Sequence, residues 1–163
     1  MAPRLVLPKN LRVISHQEHG NLGVVVLEQR PCKRAIINVY GERFFLQFPY
    51  TIFIFSYRRR FFGSYSYCHF HVGYSPISVP SLDGIISRLP TGNTFGELSV
   101  CLGFHHPKRS QDLSGLVKAV VDYFWLSSFG AVSWSQWDEA CSFSIVDDGT
   151  PVSRIVSLLK SKL

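Results

Sequence analysis

FFLQFPYTIFIFSYRRRFFGSYSYCHFHV, residues 44–72, holds two dense β-forming runs joined by an arginine-rich turn, and its reading decides the fold. Tyr50, Ile52, Ile54 and Ser56 alternate with Thr51, Phe53, Phe55 and Tyr57. Nearly every position on both faces is apolar or aromatic, the pattern of a central strand covered on both sides. Arg58, Arg59 and Arg60 interrupt it, and Gly63 supplies the flexible position a hairpin connection needs. Strict alternation along Ser64 to Val72 predicts Tyr65, Tyr67, His69 and His71 on one face, with Cys68, Phe70 and Val72 on the other.

Working upstream, Asn21 to Glu28, Arg34 to Tyr40 and Arg43 to Phe48 read as three further strands. Turns are expected at Gln29 to Lys33, which contains Pro31, and at Gly41-Glu42. The result is an antiparallel meander of about four or five strands. Residues 1–20, with Pro3 and Pro8, read as an N-terminal arm carrying at most a short strand at Leu11 to Ile14.

Downstream, Gly73 to Ser81 contains Pro76 and Pro80 and reads as an irregular crossing segment. Leu82, Ile85, Ile86 and Leu89 keep helical spacing, which predicts a short helix over Ser81 to Arg88 ended by Pro90. Leu98 to Leu102 is a short apolar run. Leu113, Leu116, Val117, Val120, Val121 and Phe124 form one helical stripe running to about Ser127. Ser133 with Gln136 is a capping box for a helix over Trp134 to Cys141. Thr150 and Pro151 read as N-cap and first turn of a last helix carried by Val152, Ile155, Val156 and Leu159. Strands first and helices afterwards indicate an α+β fold, with the helices packed on one sheet face and residues 21–163 forming a single domain.

The chain has 163 residues, 46% of them hydrophobic and 17% charged, enough for one sizeable core and too apolar for general disorder. No apolar run approaches the roughly 20 residues of a membrane span, and the opening MAPRLVLPKN lacks a signal-like core. A cytoplasmic or intracellular protein without membrane insertion is expected. Cys32, Cys68, Cys101 and Cys141 show no close pairing, so reduced thiols are the expectation.

Seventeen Lys plus Arg against eleven Asp plus Glu leave a net charge of +6. That surplus suits nucleic acid or an acidic protein partner, and its dense points are Arg58, Arg59 and Arg60 and the loop with Lys108 and Arg109. The bland alternative is a solvated turn. His69, His71, His105 and His106 form a conceivable zinc set, but no cysteine or carboxylate stands at diagnostic spacing and no metal is expected. Trp125, Trp134 and Trp137 read as core or interface residues, not as a base-stacking platform.

Leu89-Pro90, Asn93, Gly96 and the run Val100-Cys101-Leu102, placed after a strand region and before helices, resemble the ubiquitin-conjugating enzyme (UBC) fold. The style is closest to divergent bacterial UBC-like proteins of plasmids and phages, over roughly residues 44–140. The resemblance implies Cys101 as a thioester nucleophile and Asn93, eight residues before it, as an oxyanion donor. Leu89-Pro90-Thr91-Gly92 stands where that family has His-Pro, and no tryptophan follows Cys101 at the family's distance. Cys101 between Val100 and Leu102 also reads as a small buried apolar residue. The expectation is therefore a non-catalytic UBC-like binding or assembly module with a protein partner, in a phage or other mobile element and conceivably virion-associated. Thioester catalysis on Cys101 and nucleic-acid contact through the arginines are the alternatives. No cofactor is expected.

Overall fold

The computed structural model describes residues 5–89, 94, 96–100, 109–129 and 149–163. Its spine is the pair formed by strand β2 (Leu22–Gln29) and strand β5 (Tyr50–Arg59), which run antiparallel with Val25 opposite Phe55 and Leu27 opposite Phe53. Strand β1 (Leu11–His19) extends the sheet on the β2 side. On the other side lie β6 (Tyr65–Ser75), β7 (Ile85–Arg88) and β9 (Thr150–Pro151), giving a six-stranded order β1-β2-β5-β6-β7-β9.

The expected meander is broken between β2 and β5. Strands β3 (Cys32–Asn38) and β4 (Arg43–Phe48) leave the main sheet and form a second one, in the order β4-β3-β8, with β8 (Ser128–Phe129) parallel to β3. The reason lies in the register. Gln29 faces Thr51 before the break and Cys32 faces Phe48 after it, so one long hairpin simply continues through a bend. Pro31 and Pro49 sit at that bend on the two arms, where a residue without an N–H cannot hold a ladder bond. The turn expected at Gln29 to Lys33 is a corner, not a reversal. Residues Leu11 to His19, expected to be mostly arm, form a full strand on β2.

Two more corrections follow from sheet edges. Ser81 to Arg88 is not a helix: Ile85–Arg88 is a strand, with Gly73 opposite Arg88 and Tyr74 opposite Ser87. Eight residues containing Gly84 make a marginal helix, whereas the free edge of β6 offers waiting backbone partners. In β6 the register shifts between Ser56 and Tyr57, which face His69 and Tyr67 and leave Cys68 as an extra residue. This bulge flips the alternation. Tyr65 and Tyr67 therefore join Phe70, Val72 and Tyr74 in one core, instead of sharing a face with His69 and His71.

Helix α1 (Leu113–Leu126) starts at Asp112, whose side chain accepts the Gly115 N–H at 2.6 Å. Its buried stripe packs with Val25, Leu27, Phe53, Phe55, Phe70 and Val72, and with Ile36, Phe44, Leu46 and Phe48 of the small sheet. Helix α2 (Val152–Ser161) buries Val152, Ile155, Val156 and Leu159 against Val24, Val26, Ile52, Ile54 and Ile86. Since Val24 and Val25 point to opposite sides of a strand, the helices cover opposite faces of the main sheet and not one face as expected. This is why β2 and β5 are apolar on both sides. The start of α2 also differs: Thr150 and Pro151 lie in β9, and the first helical N–H groups are taken by main-chain carbonyls, Val152 to Gly84 at 3.0 Å and Ser153 to Leu82 at 2.7 Å. The helix expected over Trp134 to Cys141 lies outside the described residues.

Candidate functional site

The β5–β6 connection is built as a tight, hydrogen-bonded turn. Gly63 donates to the Arg60 carbonyl at 3.0 Å, and Arg60 donates to the Ser64 carbonyl at 2.8 Å. Gly63 has φ of 78°, a left-handed backbone that a side chain would strain. Phe61 and Phe62 occupy the two corners between Arg60 and Gly63, and both are 100% exposed. Arg58, Arg59 and Arg60 are exposed immediately behind them.

Two neighbouring segments brace this tip. Arg59 donates its N–H to the Asn21 carbonyl in the β1–β2 turn at 2.6 Å. Tyr65, which faces Arg59 across the hairpin, exchanges two main-chain hydrogen bonds with Ser110, at 2.7 and 3.0 Å. That contact carries the exposed Arg109 to the same end of the sheet. Four arginines thus gather there, and none makes an ion pair among the described residues. Their field is felt inside the hairpin: burial pushes the Cys68 thiol up, and Arg58 and Arg60 pull it back down. Lys108, read from sequence as part of this site, lies outside the described residues.

A polar cluster that sequence reading missed stands beside the tip. The Tyr57 hydroxyl donates to Glu18 Oε1 at 2.6 Å and lies 2.7 Å from His16 Nε2. With its only proton given to Glu18, Tyr57 accepts from His16, which fixes the Nε2–H tautomer. Burial, reinforced by the hydrogen bond to Glu18, drives the phenol well above its usual range. Burial lowers His16, and Glu18 pulls it partly back. The two hydrogen bonds make the Tyr57 hydroxyl a clasp joining β1 to β5. Gly23 makes room for it, because a Cβ there would run into the Tyr57 ring. The signal in the sequence is the spacing of His16 and Glu18, two residues apart on one strand face.

Cys101 and Asn93 lie outside the described residues, but their flanks are placed. Thr94 pairs with Val100 in an antiparallel bridge, and Thr94 Oγ1 donates to the Leu89 carbonyl at 3.0 Å. Val100 donates to the Phe70 carbonyl at 3.0 Å. His71 Nδ1 lies 2.7 Å from the Glu97 carbonyl oxygen, which only accepts, so the proton sits on Nδ1. Glu97 and Leu98 follow one another at φ of 57° and 62°, a left-handed pair held by this bond and by the burial of Leu98. Burial lowers the His71 imidazole, with the Glu97 carbonyl bond opposing it. His69, His71, Ser99 and Lys162 share a cleft of about 180 Å³ with Tyr67 and Cys68. His105 and His106 lie outside the described residues, and among the described residues no three His, Cys, Asp or Glu side chains form a metal-ligand group. Trp125 is core, as expected: its Nε1 donates to Gln29 Oε1 at 3.1 Å and Arg34 lies over its ring at 5.2 Å.

Among the described residues no helix is long and apolar enough to cross a membrane. Compared with protein-family models, curated proteins and solved structures, the chain matches none.

Proposed function

We propose that the chain is a non-catalytic binding module that docks a partner of dense negative charge through the tip formed by Arg58, Arg59, Arg60 and Arg109. The observation that carries this reading is the gathering of four exposed arginines from two separate segments at one end of the main sheet, three of them leading into a hydrogen-bonded turn. Guanidinium groups that make no ion pair among the described residues can bind phosphate or carboxylate partners through paired, charge-assisted hydrogen bonds. An Arg58→Ser, Arg59→Ser, Arg60→Ser variant should fold with stability within about 0.5 kcal/mol of wild type, because these side chains support no core. On a heparin matrix it should elute at clearly lower salt, with a shallower salt dependence of binding. Unchanged retention would sink the proposal.

A second reading, a UBC-like enzyme carrying a thioester on Cys101, draws support from the Thr94–Val100 bridge, which joins the residue after Asn93 to the residue before Cys101. Under the module reading, Cys101 reacts slowly with a thiol reagent in the native protein and at ordinary speed after unfolding. Fast native labelling confined to Cys101, with an acyl adduct that Cys101→Ser converts to a stable ester, would make the enzyme reading the better one.

A further inference from the structure

We infer that the anionic partner of the tip is a lipid bilayer surface, into which Phe61 and Phe62 insert while the arginines bind the headgroups. This rests on the arginine-tip reading and names its partner.

The two phenylalanines are the observation that a purely electrostatic site leaves unexplained. Both are 100% exposed at adjacent corners of a turn, a place where chains ordinarily carry Asn, Asp, Ser or Gly. Their exposure is built in, since hydrogen bonds from Arg60 to Ser64 and from Gly63 to Arg60 fix the turn that presents them. Neither belongs to a core cluster of the described residues. An apolar apex with cations directly behind it matches the layering of an anionic membrane, with acyl chains inside and phosphates outside. The dimensions agree: at about 3.3 Å per strand residue, Arg58 lies roughly 7 Å behind Arg60. An interfacial element sinks about 5–10 Å into the headgroup boundary.

Single-stranded nucleic acid is the competing polyanion, and the geometry favours it less. Base stacking uses aromatic rings along a basic groove that tracks the backbone. Here the two rings stand together at the corners of one turn with the arginines on the strand behind them, and not interleaved along a groove.

The test is sedimentation of the full chain with vesicles of phosphatidylcholine alone or with about a third phosphatidylserine, beside a single-stranded oligonucleotide and inorganic phosphate. Wild type should bind the anionic vesicles and not the neutral ones. The triple arginine-to-serine variant should bind them about 100-fold more weakly, at roughly fivefold per arginine near the surface. Phe61→Ser with Phe62→Ser should weaken vesicle binding about tenfold or more by lost apolar burial, while leaving heparin retention and thermal melting unchanged. Vesicle binding that ignores the phenylalanines would overturn the inference. So would arginine-dependent retention on heparin with no vesicle binding, which leaves the parent proposal standing. Oligonucleotide binding that falls with the phenylalanine change, without vesicle binding, would make nucleic acid the partner. Competition by millimolar phosphate as effective as by vesicles would reduce the tip to a free-anion site. Failure of heparin and vesicles together would remove both proposals.

Discussion

Phe124→Ala is expected to cost about 3–5 kcal/mol of unfolding free energy, the range for emptying a fully buried phenylalanine site. Phe124 is completely buried on α1, over the aromatic face of β5 and β6. Its ring meets Phe53 edge-on at 5.5 Å, Trp125 at 4.9 Å, Phe129 at 5.4 Å and Phe70 at 6.1 Å. Those neighbours come from the main sheet, the helix itself and the short strand that closes the small sheet. They are held by separate elements, so collapse around the vacancy needs several of them to move together. The measurement is the shift in denaturant midpoint at unchanged slope. A loss below about 1 kcal/mol would mean that this aromatic cluster repacks freely and is not the centre of the core. Phe124→Leu, which keeps most of the volume, should cost well under half as much.

The helix that carries Phe124 was legible because fourteen residues of consistent periodicity outweigh any local accident. The double-sided burial of β5 was legible for the same reason: both of its faces are apolar in the sequence. What the sequence withheld were long-range choices. Pro31 and Pro49 mark breaks in the ladder, yet a break can be a reversal or a corner, and only the register across the whole hairpin distinguishes them. Ile85, Ile86 and Leu89 satisfy helical spacing over too short a span, and pairing with the edge of β6 decided the outcome. The bulge at Cys68 has no local signature, so the faces of His69 and His71 came out reversed relative to the tyrosines.

The site divides the same way. Exposure of Arg58 to Arg60 follows from a charge run in an apolar hairpin. The approach of Arg109 depends on Tyr65 meeting Ser110 across 45 residues of chain, a contact that no spacing rule announces. Phe61 and Phe62 fall inside the expected turn between Arg60 and Gly63, where the sequence does not say whether two aromatics fold back on the sheet or face solvent. Their meaning appears only once Gly63 and Arg60 are seen to close the turn around them.

The second large effect concerns Glu28, the carboxylate that locks three segments together. It is 2% exposed on β2. It accepts from Arg12 Nη2 at 2.9 Å, from Arg12 Nε at 3.2 Å, from the Ser78 hydroxyl at 3.0 Å and from the Val79 N–H at 2.5 Å. Arg12 in turn donates to the Val79 carbonyl at 2.8 Å. The edge strand β1, the central strand β2 and the proline-bearing loop after β6 thus meet at one side chain. Glu28→Ala strands the buried Val79 N–H and leaves Arg12 without its carboxylate, held only by the Val79 carbonyl and the Ser78 hydroxyl, and removing one member of a buried pair costs about 3–5 kcal/mol. The lower end, about 3 kcal/mol, is expected here because the Arg12 side chain is 44% exposed and can rehydrate. Arg12→Ala leaves the carboxylate with the Ser78 and Val79 donors alone, so it should also destabilise, and the double variant should cost less than the sum. A double-mutant cycle in denaturant melts reads that difference as a coupling of at least about 1 kcal/mol. Additive losses would show that Glu28 is held by the loop alone. A Glu28→Ala loss below about 1 kcal/mol would mean that β1 and the loop are anchored elsewhere, with the Tyr57 clasp the first place to look.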